Sequence, residues 1–197
     1  MNATLPLARW LRNGLAATAV VFVAGCASAP PETFDLTAAS LAPAHKLRAQ
    51  IAIREPVASL DLDSQRILVR TGPETIAYLA GAQWSDRLPS LVQTRLVQTF
   101  QNAQLLRSVA RAGSGPAADY SLELDIRAFE LDVPAAQANV DIAAKIVAAT
   151  SGRVIAAQIF KTRVAASGTD GAQATRALNA ALSTVMAEIV AFTTAHI

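Results

Sequence analysis

The sequence predicts an α+β domain built as a single mixed, largely antiparallel β-sheet with two amphipathic helices packed on one face. Three observations predict it. Several segments alternate apolar and polar residues with period two, two longer ones repeat apolar residues every three to four positions, and the chain of 197 residues suits one domain of roughly 150 residues. Hydrophobic residues make up 52% and charged residues 16% of the chain, so disorder is excluded over most of its length. Strands with one wet face and helices with one apolar stripe must each bury a side, and stacking the two layers does so economically.

The elements follow in order. Leu47, Ala49, Ile51 and Ile53 alternate with Arg48, Gln50 and Arg54, which is a half-wet strand. Ile67 and Val69, flanked by Arg66 and Arg70, make a second, Gly72-Pro73 a turn, and Thr75 to Leu79 its return as a hairpin. Between Ser85 and Ala103 the period becomes helical, with Leu88, Val92, Leu96 and Phe100 on one stripe. Ser85 or Asp86 is placed to cap that helix, and Pro89 is tolerated in its first turn. Ala112 to Ala117 read as a loop. Tyr120, Leu122, Leu124 and Ile126 form a strand, and Phe129 and Leu131 fall out of its phase, which predicts a bulge near Ala128. Val140 to Ile146 and Val154 to Val164 complete an antiparallel meander. A final helix runs from about Gly171 to His196, with Leu178, Leu182, Val185, Ile189 and Phe192 on its stripe. Neither an internal repeat nor a second domain boundary is visible.

The first thirty residues read as an export signal. Arg9 and Arg12 supply positive charge, Leu15 to Val23 a short apolar run, and Ala24 and Gly25 small residues. A retained membrane helix would need about 20 apolar residues to cross the hydrocarbon layer, and this run is much shorter. Val23-Ala24-Gly25-Cys26 resembles a bacterial lipobox, in which the thiol is acylated and becomes the first mature residue. The rival cut, after Ala27-Ser28-Ala29, would leave Pro30 in a protease subsite that its fixed φ fits poorly. Cys26 is the chain's only cysteine, so it has no internal disulfide partner, and its place at the end of the signal favours lipidation. Two or three acyl chains, at about 0.8 kcal/mol per buried methylene, would hold the protein on a membrane. The expected division is a lipoprotein signal peptide at 1–25, a lipidated terminus and proline-bearing stalk at 26–33, and a folded domain at 34–197 beginning near Phe34 or Leu47.

Removing the signal takes Arg9 and Arg12 and no acid, which leaves 17 − 2 = 15 basic residues against 15 acidic ones. Net charge of zero, with the basic positions scattered, argues against nucleic-acid binding. Only His45 and His196 could serve as a histidine base, one at the entry to the fold and one next to last, so triad chemistry lacks its centre. With Cys26 consumed, no zinc-like ligand set is spaced along the chain. Gly113-Ser114-Gly115-Pro116 lacks the Gly-Lys-Ser/Thr of a phosphate loop and reads as solvent-facing. Asp61 and Asp63, and Glu123 and Asp125, occur as i, i+2 pairs; the second pair shares the wet face of a strand and reads as solubilising charge. No cofactor, metal or catalytic residue is assigned.

The junction from Tyr78 to Pro89 is the most particular stretch. Trp84 before a helix start either plugs the end of the core or joins a docking surface, since tryptophan near arginine is enriched in binding hot spots. Trp84, Asp86 and Arg87 are therefore the candidate partner-binding residues. Leu62-Asp63-Ser64-Gln65-Arg66-Ile67, Ile76-Ala77-Tyr78, Trp84-Ser85-Asp86-Arg87-Leu88-Pro89, and Ala118-Asp119-Tyr120 with Phe129, in this order behind a lipobox, resemble the ABC-type transport auxiliary lipoprotein family. The resemblance implies a non-enzymatic lipoprotein on the periplasmic face of the outer membrane, partnered with an MCE-domain protein and an ABC permease and ATPase in moving lipids between membranes. Homo-oligomerisation into a ring is an expectation from analogy with ring-shaped partners alone. Ala27 after the acylated residue agrees with outer-membrane delivery. A different class of role stays open at this point, a lipoprotein cofactor that activates or assembles another envelope complex, as does a lipid shuttle with its own cavity beneath the helices.

Overall fold

The computed structural model describes residues 29–42 and 46–197; the signal segment 1–25, Cys26 and His45 lie outside the described residues. In chain order the elements are β1 (Glu32–Phe34), β2 (Gln50–Ile53), β3 (Val57–Ala58), β4 (Arg66–Gly72), β5 (Thr75–Trp84), α1 (Leu88–Ala103), β6 (Ser108–Arg111), β7 (Tyr120–Asp132), β8 (Gln137–Ala148), β9 (Val154–Ala165) and α2 (Gly171–His196). All the strands join one mixed sheet, and two helices complete an α+β fold.

The long ladders are antiparallel: β7 with β8, β8 with β9, and the β4–β5 hairpin. The short ones are parallel: β1 with β5, β2 with β6 and β7, and β3 and β4 with β7. One edge of β7 thus receives β2, β3 and β4 in succession, while its other edge carries the meander. Parallel pairing holds a larger share than the alternation patterns suggested: β1, β3 and β6 carry too little periodicity to be seen, and β2 and β4, both expected as strands, pair parallel with β7 far along the chain. The expected bulge is present, with the β7–β8 register shifting between Ile126 and Ala128. That shift turns Phe129 and Leu131 inward, where both are buried.

Alternation determines the core. Leu122, Leu124 and Ile126 of β7 and Val140, Ile142, Ala144 and Ile146 of β8 are buried in one cluster with Leu88, Val92, Leu96 and Phe100 of α1. Leu178, Leu182, Val185, Ile189 and Phe192 of α2 join the same cluster. Each fully buried Leu, Ile, Val or Phe contributes about 1.5–3 kcal/mol relative to exposure, so the helix stripes alone supply much of the driving force. Ala138 and Ala144 on the sheet and Ala177 and Ala181 on α2 are buried too. Small side chains there let helix and sheet approach closely.

Two corrections concern the ends of elements. Glu32 and Thr33, expected in the stalk, pair with Ala82 and Gln83 as β1, because backbone hydrogen bonds to β5 override their polar composition. β5 continues past Leu79 to Trp84 through an irregularity between the pairs Arg66–Gln83 and Leu68–Tyr78. Gly81, at φ 69, takes the left-handed backbone geometry that lets the strand bulge and resume. Gly171 is needed for closeness, since a Cβ there would lie 2.9 Å from Phe34 Cε2. α2 therefore starts hard against β1.

Candidate functional site

β5 delivers the junction residues to the surface in a fixed order. The Trp84 amide donates to Gln65 O at 2.7 Å and the Ser85 amide to Phe34 O at 2.8 Å, so two distant segments hold the strand end. Trp84 is 1% exposed, and its ring meets Phe129 edge-on at a centroid distance of 5.9 Å. Of the three candidate partner-binding residues, Trp84 is the one whose side chain the surface does not present; its position in the core follows from the inward phase of the last strand residue.

Asp86 and Arg87 are exposed. The residue at the helix N-cap is Arg87, without a side-chain cap, and Pro89 stands in the first turn. Neither Ser85 nor Asp86 caps in the expected way. Asp86 acts one step earlier instead, accepting the Arg87 amide at 2.7 Å and the Ser90 hydroxyl at 2.6 Å. The Ser90 bond first, and the Arg87 amide second, hold its carboxyl below the ordinary value for aspartate.

Arg87 is a bridge. Its Nε donates to Asp63 Oδ1 at 2.7 Å and its Nη1 to Glu55 Oε1 at 3.1 Å. The Asp63 hydrogen bond, then the charge of Asp63, push the guanidinium's pKa further up. The side chain is still 50% exposed. Glu55 also lines a half-open groove of about 720 Å³ on the sheet, whose walls include Arg54, Val57, Glu123, Asp125 and Lys145. Glu123 accepts from Lys145 at 3.1 Å and faces Arg54 at 3.5 Å. Leu60, in the Ser59–Asp63 turn that ends at the Arg87 partner Asp63, is 90% exposed.

Glu55, Leu60 and Asp63 were not singled out as site residues by the sequence. Asp63 had a signal, since it sits in the segment quoted for the family resemblance; Glu55 and Leu60 had none, because their neighbours lie far along the chain. On β7 Asp125 is exposed and Glu123 half-buried, both on the face opposite Leu122 and Leu124. Asp61 and Asp63 occupy a turn and serve in bonding, with Asp61 O accepting from the Tyr78 hydroxyl.

The chemistry of this region is that of paired charges around an apolar knob. The two groove cations, Arg54 and Lys145, share one carboxylate, Glu123, an arrangement of paired charges suited to docking another surface. Among the described residues no three His, Cys, Asp or Glu side chains gather as a metal would require. His196 Nδ1 lies 2.7 Å from Phe192 O at the end of α2 and stacks on that ring, away from the groove. Residues 113–116 form turns and bends between β6 and β7, as a solvent loop should.

The profile of the ABC-type transport auxiliary lipoprotein component matches residues 34–190. The chain belongs to this family. As an auxiliary lipoprotein of ABC-type transport it is a membrane-associated component of the cell envelope. It is 32% identical over 184 residues to the uncharacterized protein bll6063 of Bradyrhizobium diazoefficiens, a match that takes in 92% of this chain and 50% of that protein. The chain thus spans half the length of that relative. Among solved structures it is similar to protein XCC0632 from Xanthomonas campestris, of the DUF330 family, with a TM-score of 0.76 and 26% identity over 84% of this chain and 96% of that one. The fold also resembles hypothetical protein CT253 from Chlamydia trachomatis, with a TM-score of 0.53 and 11% identity, covering 76% of this auxiliary lipoprotein and 98% of the other chain.

Proposed function

We propose that the chain is a non-catalytic, lipid-anchored subunit of an MCE-type ABC transport system that moves lipids between the inner and outer membranes. The signal at 1–25 is removed, Cys26 is acylated, and the acyl chains hold the domain on the periplasmic face of the outer membrane. An ABC permease and ATPase supply the energy from the inner membrane, and the domain receives an MCE-domain partner. Family membership supports the transport role.

The observation that carries the docking surface is Arg87, held between Asp63 and Glu55 at 2.7 and 3.1 Å above a strand end pinned by buried Trp84. Arginine pre-oriented in this way loses little rotamer freedom on binding, and exposed Leu60, in the same turn as Asp63, offers an apolar contact. Asp86 completes the exposed part of the junction. Trp84 supports it from beneath.

Self-association belongs to the same reading. β9 pairs with β8 alone and exposes Val154, Ile155 and Ile159, and an edge of that kind can template another strand. Light scattering of the mature domain, with and without Ile159→Lys, tests it.

Co-purification with the MCE-domain partner tests the docking surface. Arg87→Glu and Asp86→Lys should each weaken the complex by about tenfold or more, equivalent to about 1.4 kcal/mol per factor of ten, in protein that remains folded at the temperature of the assay. Undiminished binding by both variants would remove this surface from the proposal.

A further inference from the structure

Two branched apolar side chains stand exposed at one end of the sheet, on either flank of Arg70. Ile76 pairs with Arg70, and the Arg70 carbonyl accepts the Val133 amide at 3.0 Å. Ile76 is 46% and Val133 39% exposed. Pro73 and Pro134 sit in the adjoining β4–β5 and β7–β8 turns. Val133 stands in a turn, a place ordinarily taken by Gly, Asn, Asp or Ser beside proline, and Ile76 stands at the start of β5 at the same end, so this end of the sheet presents apolar rather than polar side chains to its surroundings.

The direction of β1 bears on what those surroundings are. β1 runs parallel to β5, with Glu32 opposite Ala82 and Phe34 opposite Trp84, and β5 runs away from the β4–β5 turn. Going back from Glu32 through Pro31 and Pro30 therefore leads toward that turn. Cys26 precedes Glu32 by six residues, a reach of at most roughly 20 Å at 3.3–3.6 Å per residue. The direction of β1 thus points its N-terminal side toward the end that carries Ile76 and Val133.

Resting on the acylation of Cys26 proposed above, we infer that the end carrying Ile76 and Val133 lies against the lipid surface that holds the anchor. Two side chains of this size would not bind a bilayer on their own. Once the acyl chains are inserted the contact is intramolecular, with an effective concentration in the millimolar range or above, and a small apolar area suffices to orient the domain. The charges at this end give no basic excess: Arg70 is bound to Glu130, Asp132 accepts the Ala135 amide, and Glu74 is exposed on the turn. The contact is apolar, and zwitterionic lipid satisfies it. This orientation places Asp86 and Arg87, beyond the other end of β5, away from the membrane and open to a partner.

Acylated full chain in vesicles of phosphatidylcholine and phosphatidylethanolamine bearing nitroxide lipids tests the inference. Acylation occupies Cys26, so Val133→Cys supplies a single thiol for a fluorophore, and Ser151→Cys in the β8–β9 turn supplies one at the opposite end. Several-fold stronger quenching at position 133 than at 151, insensitive to added salt and abolished by Ile76→Asp in the labelled chain, is the expected result. Equal or reversed quenching in chains that float with the vesicles overturns the orientation and leaves the anchor standing. Chains that do not float, and whose Cys26 thiol takes up label, overturn the anchor and the orientation together.

Discussion

Trp84 and Phe129 meet edge to face, their planes 76° apart and both side chains 1% exposed. The contact joins the last residue of β5 to the first inward residue after the β7 bulge, and so couples the bulge to the entry of α1. A shift in either strand would separate the rings.

Trp84→Ala should therefore destabilise the domain by about 3–5 kcal/mol, as large aromatic truncations in a core do. A double-mutant cycle with Phe129→Leu should reveal a coupling of about 0.5–1.5 kcal/mol beyond the separate losses. Denaturant midpoints of the four proteins check both. A loss below about 1 kcal/mol for Trp84→Ala would show that the ring is not part of the core.

The Arg70–Glu130 pair makes a second prediction. Arg70 Nε and Nη2 donate to the two carboxylate oxygens at 2.7 and 2.9 Å, and the Glu130 side chain is only 6% exposed. Arg70→Met should cost about 3 kcal/mol, because it strands a buried carboxylate. Adding Glu130→Leu should recover most of that loss. Failure of the second change to rescue the first would mean that the pair acts through packing rather than charge.

The meander, the bulge and both helices were readable from the residues because each repeats its period long enough to be distinguished, as in Tyr120 to Ile126 or Leu178 to Phe192. β1, β3 and β6 were not, since they are held by ladders to residues far along the chain and carry only two to four residues each. Trp84 was separated from its strand because the bulge at Gly81 interrupts the alternation. The site was partly readable: Asp86 and Arg87 stood out by their place before Pro89, whereas the Arg87 bonds to Asp63 and Glu55 span 24 and 32 positions. No local pattern encodes such pairings.

Asp86 gives a pH signature. Its carboxyl titrates below the ordinary 3.8 in the folded chain, through the Ser90 and Arg87 bonds, and at the ordinary value when unfolded. Above that ordinary value both states are ionised and the stabilisation is fully present; it is lost as pH falls through the folded value. Asp86→Asn should thus lower the urea midpoint at pH 7 and converge with the parent protein as pH falls through the folded value of Asp86. A difference that grows on acidification would contradict this.

Gly171 sets how closely α2 meets β1. Gly171→Val brings a Cβ to within 2.9 Å of Phe34, and relief of that overlap should cost about 1–3 kcal/mol. Thermal unfolding measures it, and Phe34→Ala in the same chain should partly restore the midpoint. An unchanged midpoint in Gly171→Val would mean that β1 yields freely.

The mass of the mature amino terminus, determined on protein extracted from the native envelope, is the most direct measurement. A chain beginning at Cys26 with a diacylglyceryl group on Sγ is the expected species. An unmodified chain beginning at Pro30 would contradict the tethered subunit described here.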